Sequence, residues 1–291
     1  QPEAMALNRV TLQREGYPMA FQNGSRVVTF DRKPTRILAL GLGASELLIE
    51  LGLSHLMIAR TFDWFEGKPL PKYAIALAGI PRIAPENILT LETQNNGPDF
   101  VYGLFDDSTP DPPFLKSYHT LATTKTQFFA EVRDLAKLLK VEDKALAFIA
   151  EQEKRLRVLS FRLADAYPVK VLVVLNLSEG SLLTAGGQEF SSDLIKLAGG
   201  RNVFADLGPT PKPNVNEVVA RNPNFILIVD DGRTPLTDKI VALQNDPVLS
   251  LLPAVSEYRF LTLHESYLLP GPRLADSVEL IAKQLHPSLV H

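Results

Sequence analysis

Short apolar runs and amphipathic helical segments alternate along most of this chain. The run Ile37–Leu40 has the length and composition of a buried strand, and Gly41 ends it. Leucines at helical spacing then give one apolar face to a short helix, which Ser45 can cap and Gly52 can stop. A second apolar run at 56–59 follows almost at once. Strand, helix and strand in this order predict a βαβ unit, and therefore a parallel sheet whose ligand crevice lies beyond the carboxyl ends of its strands.

Two long helices and a second α/β set are predicted from residue 126 onward. Residues 126–166 contain neither Pro nor Gly, and their apolar positions recur at steps of three and four, which predicts two helices. The second helix is expected to begin near Asp143, to end before Pro168 and to be about 30 Å long or more, enough to cross from one lobe to another. The other predicted elements are a hairpin at 17–30, strands at 100–102, 171–175, 182–185, 225–229 and 260–263, and helices at 85–91, 191–198, 215–221, 239–243 and 274–285.

This order of elements predicts an α/β fold with two lobes, each containing a mainly parallel sheet. We place the first α/β lobe at 1–126, a helical segment that includes the connecting helix at 127–166, and the second α/β lobe at 167–291. A chain of 291 residues is long enough to bury two cores of moderate size.

Composition and charge exclude several classes of protein. The chain carries 30 Lys and Arg against 33 Asp and Glu and has no long basic run, so nucleic acid is not expected as a partner. The absence of cysteine excludes disulfides and thiolate metal sites. No apolar run approaches the roughly 18 residues that a membrane span needs. No signal peptide is visible, which fits a cytosolic protein and equally a mature chain whose signal has been removed.

Five short motifs mark the chain from one end to the other. They are the opening at 34–53, which begins Pro-Thr-Arg, Pro-Asp-Phe-Val at 98–101, a helix ending in Gly-Gly-Arg-Asn at 194–204, Asn-Pro-Asn-Phe-Ile at 222–226 and Pro-Gly-Pro-Arg at 270–273. In this order they resemble the periplasmic binding proteins that deliver iron-siderophores, haem or cobalamin to ABC importers. The resemblance spans nearly the whole chain and implies two lobes joined by a long, rigid helix that allows little closure.

The resemblance also implies a function, a location and partners. It implies a monomer that diffuses freely in the periplasm after its signal has been removed, captures a ferric siderophore in the interlobe cleft and delivers it to an ABC permease and its ATPase. No resident cofactor is expected. Haem or a corrinoid is the alternative ligand, and an enzyme or chelatase on the same two-lobed scaffold is the alternative from another class.

Residues that follow the predicted strands are the candidates for ligand contact, because the carboxyl ends of parallel strands face the crevice. Arginine pairs with carboxylate or catecholate oxygens and stacks on rings, and aromatic residues stack on the aromatic parts of a ligand. The structural alternatives are a core position for the aromatic residues, an exposed salt bridge for the arginines and a backbone hydrogen bond for the histidine. The predicted contacts are Arg60, Trp64, Phe65, Tyr102, Arg233, His264 and Tyr267.

The resemblance leaves haem ligation open as a second role for two of these residues. Tyrosine and histidine ligate haem iron in haem binders of this class, so Tyr102 or Tyr267 could do so here.

The sequence contains no pattern that indicates catalysis. None of the five histidines forms a pair at metal-ligand spacing, and neither G-x-S-x-G nor H-E-x-x-H occurs. We therefore predict no catalytic residue and no protein-held metal, and a protein that is not an enzyme.

Two glutamates are candidates for docking to the permease. In the proteins that this chain resembles, one glutamate on the outer surface of each lobe pairs with permease arginines. Glu86 matches the position in the first lobe, and Glu217 is the nearest match in the second. The alternative for both is an ordinary acidic residue in the first turn of a helix, where it is stabilised by the helix dipole.

Overall fold

The computed structural model describes residues 16–61, 75–77, 97–103, 115–178, 181–232 and 234–290. These residues fall into two compact units. The first draws on Gln1–Leu121 and Gln127–Ile149, and the second on Ala122–Thr126 and Ala150–His291. The predicted lobe limits at 126 and 166 stay a prediction.

An antiparallel hairpin begins the described part of the first unit, as predicted. Strands β1 (Met19–Asn23) and β2 (Arg26–Phe30) pair from one end to the other, and the two residues of the turn are Gly24 and Ser25, one position later than the predicted Asn-Gly turn. Gly24 adopts a φ of 63°, which this type of turn requires. The buried side chain of Asn23 donates to the backbone oxygen of His119 and accepts from its N–H, both at 2.8 Å. The hairpin is therefore fixed to the end of another strand.

A five-stranded parallel sheet forms the centre of the first unit. In space its strands follow the order β5-β4-β3-β6-β7, and each neighbouring pair is parallel. The first strand in the chain, β3, lies in the middle of the sheet. The strands β4 and β5 are then added on one side of it, and β6 and β7 on the other. The strand order consequently reverses between β3 and β6. The strands are β3 (Ile37–Leu40), β4 (Met57–Thr61), β5 (Ile75–Leu77), β6 (Phe100–Gly103) and β7 (Lys116–His119).

Helix α1 (Leu42–Glu50) connects β3 to β4 and begins earlier than predicted. The prediction that Ser45 caps this helix is wrong. Gly41 precedes the first turn with a φ of 87°, and the Ser45 hydroxyl lies inside the helix, where it donates to the Gly41 oxygen at 3.2 Å. The end of the helix is as predicted: Gly52 takes a φ of 70°, and Leu53 N–H bonds back to Leu48.

The long segment without Pro or Gly forms two helices, as predicted. They are α2 (Lys125–Leu139) and α3 (Glu142–Arg162). The apolar stripe of α2, from Phe128 to Leu139, is buried. At about 1.5 Å per residue, the 21 residues of α3 extend over roughly 30 Å. The division between the two units falls within α3, between Ile149 and Ala150.

The second unit contains a sheet of the same kind. Its main path runs β10-β8-β11-β12 with parallel neighbours, and β9 pairs antiparallel with the carboxyl half of β8. The strand order reverses between β8 and β11. The strands are β8 (Val169–Ser178), β9 (Ser181–Thr184), β10 (Gly200–Asn202), β11 (Phe225–Asp230) and β12 (Phe260–His264). The helices are α4 (Phe190–Leu197), α5 (Val215–Arg221), α6 (Leu236–Asn245), α7 (Pro253–Ser256) and α8 (Leu274–Leu285).

The predicted fold class, α/β with parallel sheets in two lobes, is confirmed. The predicted helices at 215–221 and 274–285 have the bounds of α5 and α8, whereas β5, β7 and β10 were not predicted. The predicted helix at 85–91 lies outside the described residues. Among the helices of the described ranges, none has the length and apolarity to cross a bilayer.

Gly103 allows a close approach between the backbones of β6 and β3. It ends β6 with a φ of 137°, and a Cβ atom there would overlap the carbonyl group of Leu40 on β3. We expect Gly103→Ala to lower the free energy of unfolding by about 2–4 kcal/mol, because the new methyl group adds overlap to an unfavourable φ. Urea unfolding followed by circular dichroism measures this loss.

Gly208 supplies the matched control, since a Cβ there has no heavy atom within 4 Å. Gly208→Ala should change stability far less. Equal losses in the two variants would contradict this account of Gly103.

Candidate functional site

The carboxyl edge of the first sheet carries the described candidates of the first unit. Arg60 lies near the end of β4, in register with Ala39 of β3, and Ala39 is in register with Tyr102 of β6. Tyr102 is in turn in register with Tyr118 of β7. Residues in register on parallel strands lie on the same face, so Arg60 and Tyr102 share a face about 10 Å apart, two strand spacings. Trp64 and Phe65 lie outside the described residues.

Tyr102 lies inside the first unit and is only 1% exposed. Its ring contacts those of Phe100 and Tyr118, at centroid distances of 6.4 and 6.5 Å. Burial and the nearby carboxylate of Glu131 raise the pKa of Tyr102, although a hydrogen bond with Thr120 opposes that shift. The phenol is therefore held in its neutral form. Contact between Tyr102 and a ligand stays a prediction.

Helix α2 covers the same face of the sheet with acidic side chains. The hydroxyl of Tyr118 donates to Asp134 at 2.9 Å, and Glu131 accepts from the backbone N–H of Leu121 at 2.7 Å. Burial and Asp134 raise the pKa of Tyr118 as well. Two neutral phenols and two acidic side chains thus lie together under α2.

His119 ends β7 at this edge and was not predicted as a site residue. Its imidazole is half-buried, and burial together with the positive charge of Arg26 lowers the pKa of His119 to about 4. The ring is consequently neutral at physiological pH. The sequence offered no signal for this position, because Lys-Ser-Tyr-His has neither an apolar run nor a clear alternation.

The carboxyl edge of the second sheet places His264 beside Asp230. The two residues are in register at the ends of β12 and β11. The Nδ1 atom of His264 accepts from the N–H of Ser266 at 3.2 Å and lies 2.8 Å from its hydroxyl, so this ring caps the turn Glu265–Tyr267. The carboxylate of Asp230 accepts from the N–H of Gly232 at 3.0 Å. The structural alternative for His264, a backbone hydrogen bond, is thus present, and its contact with a ligand stays a prediction.

Tyr267 and Arg233 complete the predicted contacts of the second unit. The guanidinium of Arg273 lies over the ring of Tyr267, 4.9 Å from its centroid, which places the Pro-Gly-Pro-Arg motif against a predicted ligand residue. Arg233 lies outside the described residues.

Glu217 participates in a complete capping box at the start of α5. Its carboxylate accepts from the N–H of Asn214 at 2.8 Å, and its own N–H donates to the Asn214 side chain at 3.0 Å. The residue is exposed, so the carboxylate caps the helix and also faces solvent. Permease docking by Glu217 stays a prediction, and Glu86 lies outside the described residues.

A cavity of about 670 Å³ lies at the opposite, amino-terminal edge of the first sheet. Arg36, Asp99 and Lys116 line it where β3, β6 and β7 begin. The Asp99 carboxylate accepts from the N–H of Arg36 at 2.8 Å and from the hydroxyl of Thr35 at 2.9 Å. Two of the five sequence motifs therefore meet here, and they join strand beginnings instead of forming part of the candidate edge.

The described ranges contain no group of three or more His, Asp or Glu side chains that could hold a metal ion. The chemistry available at the two candidate edges is that of recognition. It includes a guanidinium, two imidazoles, of which that of His119 is neutral, phenol rings and one carboxylate at the end of a strand.

Comparison with known proteins gives a family match. The sequence profile of the family described as periplasmic binding protein matches residues 98–267, more than half of the chain. A vitamin B12-binding protein from Photorhabdus laumondii is 24% identical over 265 residues, which cover 87% of this chain and 88% of that protein.

Solved structures have a similar fold. A protein of an ABC-type Fe3+-hydroxamate transport system from Saccharomonospora viridis aligns with a TM-score of 0.78 and 19% identity, over 93% of this chain and 99% of that one. A periplasmic heme-binding protein from Pseudomonas aeruginosa aligns with a TM-score of 0.74 and 22% identity, over 88% and 94%.

The low pKa of His119 predicts a dependence of stability on pH. Unfolded chains protonate histidine below about pH 6.5, whereas the folded chain does so only near pH 4. Between these values the unfolded state binds more protons, so stability rises with pH and is lost as pH falls. We expect this site to account for about 1–2 kcal/mol across the window, discounted because the ring is only half-buried.

The measurement is the free energy of unfolding of the unchanged chain and of His119→Gln from pH 4 to 7. The variant should lose less stability on acidification than the unchanged chain. His55→Gln, at an exposed position, is the control. If the two variants show the same dependence on pH, the assignment to His119 is wrong.

Proposed function

Because this chain belongs to the periplasmic binding protein family, we propose that it captures a ferric siderophore and delivers it to an ABC permease. Members of the family bind ligands for transport and are not enzymes, which agrees with the lack of a catalytic pattern in the sequence. The proposal concerns the ligand and the delivery step. Contact residues at the carboxyl edge of each sheet would recognise the chelate.

The burial of Tyr102 is the observation that favours a siderophore over haem ligated by this residue. The side chain is only 1% exposed and its ring packs against those of Phe100 and Tyr118, so the phenol oxygen is not presented to the iron of a bound haem. A ferric siderophore already carries the ligands of its iron and needs only charge and shape recognition. Arg60 on the same face provides a guanidinium for the carboxylate or catecholate oxygens of such a chelate.

A corrinoid is the second candidate ligand. The relative from Photorhabdus laumondii is a vitamin B12-binding protein, and it aligns with this chain over most of both lengths. Haem is the third, supported by the similar fold of the Pseudomonas aeruginosa protein.

We further propose that the chain works in the periplasm as a monomer. Its partners would be a permease and the associated ATPase, and the permease would recognise an exposed acidic side chain on each lobe. The predicted residues are Glu86 and Glu217.

Ligand binding tests the proposal directly. The chain has a single tryptophan, Trp64, so quenching of its emission reports a ligand near the predicted contacts. We expect ferrioxamine B or a ferric catecholate to quench this emission in a saturable manner, and haemin and cyanocobalamin to bind at least tenfold more weakly. Mass spectrometry of the unproteolysed complex identifies the bound species.

Two substitutions sharpen this test. Trp64→Phe should abolish the optical signal, and Arg60→Gln should weaken binding at least fivefold, because it removes the charge while keeping a polar side chain. Tighter binding of cyanocobalamin or haemin than of every ferric chelate would contradict the proposed ligand.

The docking role of Glu217 can be separated from its capping role. Glu217→Gln keeps the hydrogen bond of the capping box and removes the charge, whereas Glu217→Lys removes both. We expect both variants to bind ligand normally and to reduce ligand-stimulated ATP hydrolysis in a reconstituted importer, since exposed charges set the orientation of docking. Only the lysine variant should also lose helix stability, by about 0.3–1 kcal/mol.

Normal stimulation of the ATPase by Glu217→Lys would contradict the docking assignment. Weaker ligand binding by Glu217→Gln would instead place the residue in the ligand site.

A further inference from the structure

Lys239 of α6 is a fully buried lysine near the carboxyl edge of the second sheet. Its side chain has 0% exposure. The ammonium donates to the backbone oxygen of Val229 at 2.7 Å, to Asp231 Oδ1 at 3.0 Å and to the backbone oxygen of Leu175 at 3.3 Å. An ammonium has three N–H donors, so each of them has an acceptor here and one acceptor is a carboxylate. The cost of burying the charge is offset in this way.

The two backbone acceptors lie where the strand order of the second sheet reverses. The register of β8 with β11 continues as far as Val174 opposite Ile228, and Leu175 and Val229 are the next residues on each strand. Beyond this point β8 pairs with β9, and β11 pairs with β12. The pairing of β8 with β9 also shifts register at Leu175, which leaves a bulge. Lys239 therefore supplies hydrogen-bond donors to two strands at the place where their ladder ends.

The third acceptor belongs to the turn that follows β11. Asp231 Oδ1 also accepts from the N–H of Thr234 at 3.4 Å, and Asp230 accepts from the N–H of Gly232, which has a φ of 67°. The backbone N–H of Lys239 bonds to the oxygen of Pro235. Lys239 thus forms hydrogen bonds to the end of β11 and to the turn through its side chain, and to the residue before α6 through its backbone N–H.

We propose that Lys239 is a positioning residue for ligand binding. Its ammonium fixes the turn at 230–232, and with it Asp230 at the end of β11, next to His264 of β12. The lysine itself is too deeply buried to touch a ligand, and it acts through Asp231. This inference rests on the proposed function, since it assigns the carboxyl edge of the second sheet to the ligand.

A buried ion pair is weak support for overall stability, because desolvation cancels much of the attraction between the charges. Its more general consequence is conformational: removing either partner takes away the opposite charge that compensates the other, so positions of the turn that separate the two charges are disfavoured. The proposal therefore predicts an effect on ligand affinity that is separable from the effect on unfolding.

The first variant is Asp231→Asn, which keeps an oxygen acceptor of the same shape and removes the charge. We expect amide hydrogen exchange of residues 230–236 to become at least tenfold faster, with exchange in β8 and α8 unchanged. The dissociation constant for ferrioxamine B should rise at least tenfold. Asp206→Asn is the matched control, because Asp206 pairs with Arg221 at an exposed position, and it should change the affinity less than twofold.

A double variant separates positioning from stability. Asp231→Asn combined with Lys239→Met removes the uncompensated buried charge, so the melting temperature should recover part of the loss seen in the single variant. The affinity should not recover, because no ammonium then ties the turn to the ends of β8 and β11. Recovery of affinity together with melting temperature would overturn the proposal, since a merely structural role predicts that result.

Unchanged exchange at 230–236 in Asp231→Asn, or an affinity no weaker than that of Asp206→Asn, would also overturn it. Failure of the unchanged chain to bind ferrioxamine B or a ferric catecholate would contradict the proposed ligand instead. The exchange measurement needs no ligand and would then decide by itself whether Lys239 fixes the turn.

Discussion

Parallel pairing on the main path of both sheets is the constraint on which the rest of the structure depends. Because neighbouring strands run in the same direction, their carboxyl ends gather at one edge, and the chain needs a crossover to begin each new strand. The strand order reverses once in each sheet, and at that place the connections leave in opposite directions. At the reversal in the first sheet, Gly103 lets the backbone of β6 lie close to Leu40 of β3. At the reversal in the second sheet, Lys239 donates hydrogen bonds to both β8 and β11.

Polar side chains also fix strand ends elsewhere. Asn23 joins the hairpin to β7, Asp99 joins the beginnings of β3 and β6, and Asn202 donates to the oxygen of Ala185 at 2.8 Å. Asn23 and Asn202 are buried, and a buried amide is costly without partners, so each of these two side chains can occupy only the arrangement that satisfies it. Such groups fix strand ends and loops, whereas the apolar core supplies most of the favourable free energy.

The family and the general function could be recognised from sequence because short motifs reflect local chain geometry. Asn214 and Glu217 form a capping box whose two partners are three residues apart, so the start of α5 was predictable. Ser45 shows the limit of this reasoning: a serine near the start of an apolar run resembles a cap, but Gly41 allows the helix to begin earlier. Ligand identity depends on the arrangement of several side chains from separate strands, and local motifs do not encode it.

The sequence by itself determined the alternation of strands and helices, the parallel sheets and the candidate positions at strand ends, because these follow from periodicity and from turn chemistry within a few residues.

Only the tertiary structure decided which side chains are buried and which groups they contact. Strand β7 forms through pairing with β6, so neither it nor the neutral imidazole of His119 is visible in the pattern. Tyr102 is neutral because burial in the first unit and Glu131 act on it. Lys239 belongs to an amphipathic helix where lysine is ordinarily exposed, and its acceptors come from three separate positions, one of them 64 residues away. Burial and charge pairing are properties of neighbours in space, which the linear pattern does not contain.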